Sequence, residues 1–106
     1  MKSDLKLAER YVRTAQSAKS RGFDFRLSFI QFKNLLSRRY CPYSGVELTD
    51  ASCADNQATL DRIDSTRGYV KGNVIACSSL SNSKKGNLST KEILNMAKTI
   101  KQYEGK

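Results

Sequence analysis

The residues whose types and spacing suggest chemistry begin in the stretch LDRIDSTRGYVKGN, residues 60–73. Asp61 stands at the turn side of a predicted strand, and Asn82 falls in a predicted short helix after the next strand. A strand, turn, strand and helix in this order can bring the two side chains together. A carboxylate and an amide carbonyl are hard oxygen donors, which suit Mg²⁺ or Mn²⁺ carrying waters and a phosphate oxygen. Asp61 and Asn82 therefore form a candidate metal site.

Basic residues flank this candidate metal site. Arg67 and Lys71 are expected on the exposed turn between the strands, where phosphate contact and plain solvation fit the pattern equally well. Lys84 and Lys85 follow in the short helix, and with the backbone near its start they could hold adjacent phosphates. These four residues are candidates for binding nucleic acid.

Arg62 follows the candidate metal ligand directly and has two interpretations. Arginine keeps its proton above about pH 12, so it is a poor general base. In the first interpretation it clamps a phosphate and stabilises negative charge, while the metal, Asp64 or Tyr69 activates water. In the second it forms a salt bridge with Asp61 or Asp64, and the site is inactive.

Composition narrows the possible functions. The chain has 106 residues, enough for one domain, and a net charge of +9 from 19 Lys and Arg against 10 Asp and Glu. Such a charge favours a polyanionic partner, most often nucleic acid, although a basic surface can also serve solubility alone. Histidine is absent, which excludes Ser-His and Cys-His nucleophile pairs.

The cysteines and the apolar pattern indicate a compartment. Cys41, Cys53 and Cys77 are odd in number and lack framework spacing, so we expect them to be reduced. No apolar run approaches the ~18 residues of a membrane span, and the N-terminus lacks the apolar core of a signal peptide. We therefore expect a protein of the cytoplasm, of a bacterial cell or of a phage-infected host.

Residues 1–40 predict a helical N-terminal part. The first helix is expected to begin at Ser3 as N-cap and to end at Gly22. Residues 23–27 alternate like a short strand, and Ser28 with Gln31 has the spacing of a capping box before a second helix. Apolar residues at helical spacing predict the buried face of the first helix: Leu5, Ala8, Val12 and Ala15, with Tyr11 on its flank. Basic residues predict its opposite face: Arg10, Arg13, Lys19 and Arg21.

Residues 41–88 predict a ββα core. Residues 41–48 predict a turn that leads into a short strand, and a polar loop follows. Residues 58–63 and 73–77 suit two further strands. A short polar helix then ends at Gly86. Residues 89–104 predict a C-terminal helix, with Ser89 and Glu92 as a capping box. We expect its apolar stripe to be core: Ile93, Leu94, Met96, Ala97, Ile100 and Tyr103. The fold class expected is α+β, a single domain with helices flanking the ββα core.

Three pieces of the chain, LDRID, GYVKGNV and SNSKKGN, together resemble the HNH nucleases, also called ββα-metal or His-Me finger nucleases. The resemblance is closest to the small phage-type members. SAKSRGFDFRLSFIQFKNLL ahead of CPYSGVEL is also similar to the N-terminal part of those proteins. The resemblance covers roughly residues 17–90 and rests on the ordered set of motifs rather than on one of them.

The resemblance implies a role for each matched position. Asp61 occupies the place of the acid that binds a divalent ion, and Asn82 matches the second metal ligand. Arg62 stands where the family has its general-base histidine. Asn73 matches the asparagine that braces the loop and orients that base. The implied activity is Mg²⁺- or Mn²⁺-dependent nicking or cleavage of DNA phosphodiester bonds.

Many members of the family also hold a structural zinc in two CxxC pairs. The corresponding pairs here are Cys41 with Ser44 and Ser78 with Ser81. Three of the four thiolates are missing, so a structural zinc is not expected.

Three functions are compatible with these observations. The first is a small HNH-type endonuclease that cuts DNA with a divalent metal. The second is a catalytically inactive module that uses the same scaffold to bind nucleic acid. The third is a phage factor that binds and inhibits a host protein, whose acidic surface would meet the basic face. The sequence leaves the oligomeric state open.

Overall fold

The computed structural model of the protein describes residues 4–105. Within this range the chain forms four helices and two strands, in this order: α1 (Asp4–Ser20), α2 (Phe29–Leu36), β1 (Ala58–Arg62), β2 (Val74–Ser78), α3 (Ser79–Lys85) and α4 (Thr90–Glu104). The predicted N-cap Ser3 lies outside the described residues. Among those that are described, no helix combines the length and apolar character needed to cross a membrane.

The two strands and α3 form the predicted ββα core, and the α+β class is confirmed. β1 and β2 pair antiparallel, with Thr59 opposite Cys77 and Asp61 opposite Ile75. α3 starts directly after β2, is capped by Ser78, whose side chain accepts from the N–H of Ser81, and ends at Gly86 as predicted. Because no connecting loop separates β2 from α3, the helix must fold back over the sheet, where it contacts both strands.

The end of α1 at Gly22 is confirmed. Gly22 has φ +79°, which a residue with a side chain rarely adopts. The N–H of Gly22 donates to Lys19 O at 3.0 Å, and that of Phe23 donates to Ala18 O at 2.9 Å. These two bonds form a Schellman motif, which satisfies the last carbonyls of the helix.

The buried face of α1 differs from the predicted one. Leu5 and Val12 are 71% and 50% exposed, whereas Leu7 and Ala18 are buried. The Tyr11 ring sets the rotation of the helix, because it lies edge-on to three phenylalanine rings at centroid distances of 5.3–5.7 Å: Phe25, Phe29 and Phe32. Edge-to-face aromatic pairs favour this arrangement over one that would bury smaller aliphatic groups.

The prediction also placed Arg10 on the wrong side of α1, because its side chain points towards the sheet rather than away from it. Its Nη2 donates to the carbonyl of Ala58 at 2.6 Å. Burial first, and the nearby charge of Arg13 second, lower the pKa of Arg10. The guanidinium therefore ties α1 to the start of β1.

The predicted strand at 23–27 does not form. The structure has only a single parallel bridge between Phe25 and Tyr69. The N–H of Tyr69 donates to Asp24 O at 2.8 Å, beside Gly68. A Cβ atom on Gly68 would lie 2.4 Å from Asp24 O, so the close approach of the two segments requires glycine. The segment pairs with an irregular loop, which is why the ladder does not extend.

The predicted strand within 41–48 is likewise absent. Tyr40 and Glu47 form an isolated antiparallel bridge around a turn, and Thr49 forms another bridge with Gln57. The turn contains Gly45 at φ +79°. The segment is thus an irregular hairpin that places Tyr43 next to β1.

Both predicted capping boxes are confirmed. The hydroxyl of Ser28 accepts from the N–H of Gln31 at 3.1 Å, and the Gln31 side chain accepts from the N–H of Ser28 at 2.8 Å. Ser89 and Glu92 make the reciprocal pair at the start of α4. Each box satisfies N–H groups that the first turn of a helix leaves without an intrahelical partner.

The apolar stripe of α4 is not core, contrary to the prediction. None of the residues of α4 is buried, and α4 packs against no other helix or strand of the described chain. Its large apolar side chains are 36–71% exposed: Ile93, Leu94, Met96, Ile100 and Tyr103. An amphipathic pattern predicts a helix with one apolar face, but it does not specify what covers that face.

The main core lies between α1, α2 and the sheet. Its buried cluster comprises Ala18, Leu27, Tyr69 and Val74. Partly buried apolar side chains pack around this cluster: Phe23, Phe25, Leu35 and Leu60. Tyr69 therefore anchors the loop between β1 and β2 in the core, next to the candidate site.

Candidate functional site in the ββα core

Asp61 and Lys85 form a buried ion pair between β1 and α3. Lys85 Nζ lies 2.7 Å from Asp61 Oδ2, and the two side chains are only 9% and 7% exposed. The same ammonium donates to the carbonyl of Arg62 at 3.1 Å. The predicted metal-binding carboxylate is thus already neutralised by a cation from its own chain.

Tyr43 donates a second hydrogen bond to the same carboxylate oxygen. Its hydroxyl lies 2.7 Å from Asp61 Oδ2. Burial first, then the hydrogen bond to Asp61 and the negative charge of Asp61, raise the pKa of Tyr43. Tyr43 therefore keeps its proton at neutral pH and acts as a donor.

Asn82 meets β1 one helical turn before Lys85. Its Nδ2 donates to Thr59 Oγ1 at 3.0 Å and to Leu60 O at 3.1 Å. Residues three apart share a helix face, so Asn82 and Lys85 lie side by side along the strand. Both of these hydrogen bonds are donated by the amide nitrogen. The side-chain atom of Asn82 that could act as an oxygen ligand is Oδ1. The direct partner of Asp61 is Lys85, whereas Asn82 lies opposite the preceding residues of β1.

Arg62, at the position of the family's general base, is held by the loop that follows it. Its Nη1 donates to Ser65 O at 2.7 Å and to Arg67 O at 3.0 Å. Its Cζ lies 3.7 Å from the centroid of the Phe23 ring, a stacked arrangement typical of guanidinium groups. Backbone carbonyls and a ring therefore take the place of the carboxylate partners that the sequence suggested. Arg62 closes the turn at 63–67.

Asn73 is 2% exposed and joins both ends of the same loop. Its Oδ1 accepts from the N–H of Asp64 at 2.9 Å. Its Nδ2 donates to Asp64 O at 3.1 Å and to Gly68 O at 2.9 Å. A single side chain thus satisfies three partly buried backbone groups. These contacts hold the loop, and residue 62 offers no base for Asn73 to orient.

The two alternative water-activating residues have structural partners. The Asp64 carboxylate accepts from the N–H of Thr66 at 2.9 Å and from its hydroxyl at 2.6 Å, and these bonds lower the pKa of Asp64. The hydroxyl of buried Tyr69 accepts from Arg21 Nη2 at 2.9 Å. Asp64 caps a turn and Tyr69 is packed in the core, so the geometry offers neither as a general base.

The candidate nucleic-acid-binding residues divide into two groups. Arg67, Lys71 and Lys84 are exposed, as expected of side chains that could contact phosphate. Lys85 and Arg62 are not presented in this way, because their charged groups are engaged with Asp61 and with the loop carbonyls.

The four positions that correspond to the family's zinc ligands converge around Cys41. Its Sγ accepts from the N–H of Ser78 at 3.2 Å and lies 3.9 Å from Ser81 Oγ. Burial raises the pKa of Cys41, but hydrogen bonds from the Ser44 hydroxyl and from backbone N–H groups together outweigh it and lower the pKa from 9.0 to about 6. One thiolate among three hydroxyl groups is not the donor set of a structural zinc. Hydrogen bonds made by the Cys41 sulfur join these segments instead.

This thiolate predicts a pH dependence of stability. Because the pKa of Cys41 is lower in the folded chain than its ordinary value of 9.0, the unfolded chain binds more protons between about pH 6 and 9. The contribution is complete above pH 9.0 and is lost as the pH falls towards about 6. Urea unfolding across this range should show stability rising with pH, and Cys41→Ser should flatten the rise. Exposed Cys53 supplies the control, and an equal flattening in Cys53→Ser would contradict the assignment.

The donor groups of the site do not fit a divalent ion as they are arranged. Within residues 4–105, no cluster of three or more His, Cys, Asp or Glu side chains could hold a metal. Asp61 is the single carboxylate of the candidate pair, and its Oδ2 is bound to Lys85 and Tyr43. Asn82 adds a neutral oxygen only. The chemistry that the arrangement supports is the internal neutralisation of Asp61.

Lys85 and Tyr43 are the residues whose roles the sequence interpretation missed. Lys85 lies three positions after Asn82, so helical spacing alone could have placed both on the face that meets β1. Tyr43 carries no such signal, because it reaches Asp61 from an irregular turn that lies 18 residues away.

Comparisons with known proteins agree with this architecture. The structure is similar to that of the rare-cutting HNH restriction endonuclease PacI, for which an unusual mechanism of DNA perturbation has been described. The two share 21% identity at a TM-score of 0.65, over 94% of this chain and 80% of PacI. The chain therefore has the fold of an HNH endonuclease.

A phage protein is related in sequence. The chain is 37% identical over 89 residues to an uncharacterized 29.0 kDa protein of Enterobacteria phage T4. The match covers 84% of this chain and 36% of the phage protein, so the chain spans about a third of the length of that relative. No family model matches the chain.

Proposed function

We propose that this chain binds DNA through its HNH-type fold and that the ββα core serves as a binding module without metal-dependent cleavage. The 2.7 Å ion pair between Lys85 and Asp61 carries the second half of this proposal. It engages the one carboxylate on which a metal site in this fold would depend. The function follows the second of the hypotheses that the sequence allows.

Charge and exposure support DNA as the partner. The net charge is +9, and Arg67, Lys71 and Lys84 are exposed on the loop and helix next to the site. A basic surface beside a rigid loop can follow a phosphate backbone, because phosphate contacts supply most of the affinity of nonspecific binding. The similarity to PacI, a DNA-cutting enzyme, adds a structural precedent for a DNA-facing surface on this fold.

Three features argue against cleavage. The chain has no histidine, and Arg62 donates to loop carbonyls instead of facing a water molecule. Asp61 is neutralised by Lys85. A positioned general base contributes about 10²- to 10⁴-fold to a rate, so the loss of the base alone would leave a slow enzyme.

DNA binding should be strongly dependent on salt and should not require a divalent ion. For Z neutralised phosphates, log K falls with log[salt] at a slope of about −0.9Z. Each of Arg67→Gln, Lys71→Gln and Lys84→Gln should reduce that slope by about 1 if the residue contacts a phosphate. Fluorescence anisotropy with duplex DNA measures the slope. Lys33→Gln is the matched control, since Lys33 pairs with Asp4 at 2.9 Å. Absence of binding at low salt would contradict the proposal.

Metal-dependent endonuclease activity is the second candidate. It is favoured by the placement of the Asn82 side chain beside β1 and by Asn73, whose three hydrogen bonds hold the loop. Incubation of supercoiled plasmid with Mg²⁺ or Mn²⁺ separates the two candidates. We expect no nicking by the wild-type chain. Nicking that disappears in Asp61→Ala and Asn82→Ala would replace the binding-module proposal with the endonuclease.

A further inference from the structure

The carboxylate oxygen of the ββα core that could bind a metal ion is already bonded to two donors of the chain. Asp61 Oδ2 accepts from Lys85 Nζ and from the Tyr43 hydroxyl, each at 2.7 Å. We propose that the Lys85 ammonium is the resident cation of this site: it takes the place of a divalent ion, and it excludes such an ion from Asp61 as long as Lys85 is present.

The ammonium is well satisfied where it lies. Lys85 Nζ has three N–H donors, and it bonds both Asp61 Oδ2 and the carbonyl of Arg62. The Lys85 side chain is only 9% exposed. Little water could therefore replace the ammonium at Asp61 and at the Arg62 carbonyl. Displacing it would break its bond to Asp61 and leave the carbonyl of Arg62 without its donor, and both changes oppose entry of a metal.

Geometry also opposes sharing of the carboxylate. A divalent ion binds a carboxylate oxygen at about 2.0–2.6 Å, closer than the 2.7 Å at which the ammonium lies now, so the two cations would compete for the same oxygen. Two cations on one carboxylate would repel each other strongly in a site this poorly hydrated. Asn82 could contribute only a neutral oxygen, which would not compensate for the repulsion.

The local sequence explains how this cation is positioned. Asn82 fixes α3 against β1 by two hydrogen bonds, to Thr59 and to Leu60. One helical turn later, Lys85 is brought to Asp61 by the same helix face. Asn82 is therefore a positioning residue for the ion pair, and a shift of α3 along β1 would separate Lys85 from Asp61.

This inference concerns the site on which the proposed function turns, but it holds whether or not the chain binds DNA. All of its tests are performed without DNA. Failure of DNA binding would therefore leave it intact, and its own failure would leave DNA binding intact.

Titration with MnCl₂, followed by the electron paramagnetic resonance of free Mn²⁺, tests the exclusion. We expect wild type to show no saturable binding that depends on Asp61, so that wild type and Asp61→Asn give the same curve. Lys85→Met, checked for folding by circular dichroism, should bind one Mn²⁺ about ten-fold or more tighter than wild type. Asp61→Asn/Lys85→Met should lose this binding, and Lys85→Arg, which keeps the charge, should not gain it.

Two results would overturn the inference. One is stoichiometric Mn²⁺ binding by wild type that Asp61→Asn removes, since Lys85 would then yield its place. The other is folded Lys85→Met that binds no more Mn²⁺ than wild type. If Lys85→Met does not fold, the comparison of wild type with Asp61→Asn still decides the first point.

Nuclear magnetic resonance of the wild-type chain provides an independent measurement. The ¹H–¹⁵N spectrum of the lysine ammonium groups should contain a signal from Lys85, because its buried hydrogen bonds slow exchange with water. Addition of one equivalent of paramagnetic Mn²⁺ should leave this signal as sharp as before. Selective loss of the Lys85 signal, with the backbone amide signals of α1 unchanged, would show a metal at Asp61 and refute the inference.

Discussion

Replacing Lys85 by methionine should lower the free energy of unfolding by about 3–5 kcal/mol, the usual cost of removing one partner of a buried ion pair. The side chains of Lys85 and Asp61 are 9% and 7% exposed, so water cannot replace the lost ammonium. Asp61 would keep only the hydrogen bond from Tyr43. Urea unfolding followed by circular dichroism measures the change.

The double variant separates the ion pair from side-chain packing. Asp61→Asn/Lys85→Met removes both charges and retains an oxygen that accepts from Tyr43. Its loss of stability should therefore be about 1–3 kcal/mol smaller than the sum of the losses in Lys85→Met and Asp61→Asn, a coupling typical of residues in direct contact. Lys33→Met breaks the exposed pair with Asp4, whose side chains are 46% and 69% exposed, and should cost less than about 1 kcal/mol. Additive single effects would contradict a coupled pair.

Gly68→Ala should destabilise the chain by about 3 kcal/mol or more, at the upper end of overpacking effects. A Cβ atom at Gly68 would lie 2.4 Å from Asp24 O and 2.8 Å from Asp24 N. Both contacts are with backbone, which cannot rotate away as a side chain would. The segments would have to separate and would lose the 2.8 Å hydrogen bond from Tyr69 to Asp24.

Gly105→Ala is the matched control for this substitution. Its nearest neighbours to a new Cβ are the carbonyls of Gln102 and Lys101 at 3.6 Å, an ordinary contact distance. The change in its unfolding free energy should stay within about 0.5 kcal/mol. A similar stability of Gly68→Ala and Gly105→Ala would show that the loop can move away from residues 23–27 at no cost.

Side-chain hydrogen bonds hold the loop of this HNH-type fold in place. Asn73 still joins the ends of the loop, and Arg62 closes the same turn by two hydrogen bonds to carbonyls. Around Cys41, the sulfur accepts from the N–H of Ser78 and lies 3.9 Å from the hydroxyl oxygen of Ser81. The loop geometry is thus maintained by the hydrogen bonds of the Asn73 and Arg62 side chains.

Features with local causes could be predicted from the sequence by itself. The end of α1 at Gly22, both capping boxes, the two strands of the core and the short helix after β2 all occur as expected. Each depends on residues within a few positions of one another, on glycine conformation, on side chains that bond nearby N–H groups, or on the composition of a strand. The α+β class followed from the order of these elements.

Only the tertiary structure decided which groups meet across the chain. Asp61 finds Lys85 and Tyr43, 24 and 18 residues away, Arg62 stacks on Phe23, and α4 leaves its apolar stripe exposed. The type of a residue determines which groups its side chain can bind, and several groups in one chain could serve as that partner. The choice among those partners is made by packing, because burying the Tyr11 and Tyr69 rings fixes how helices, loop and sheet approach each other.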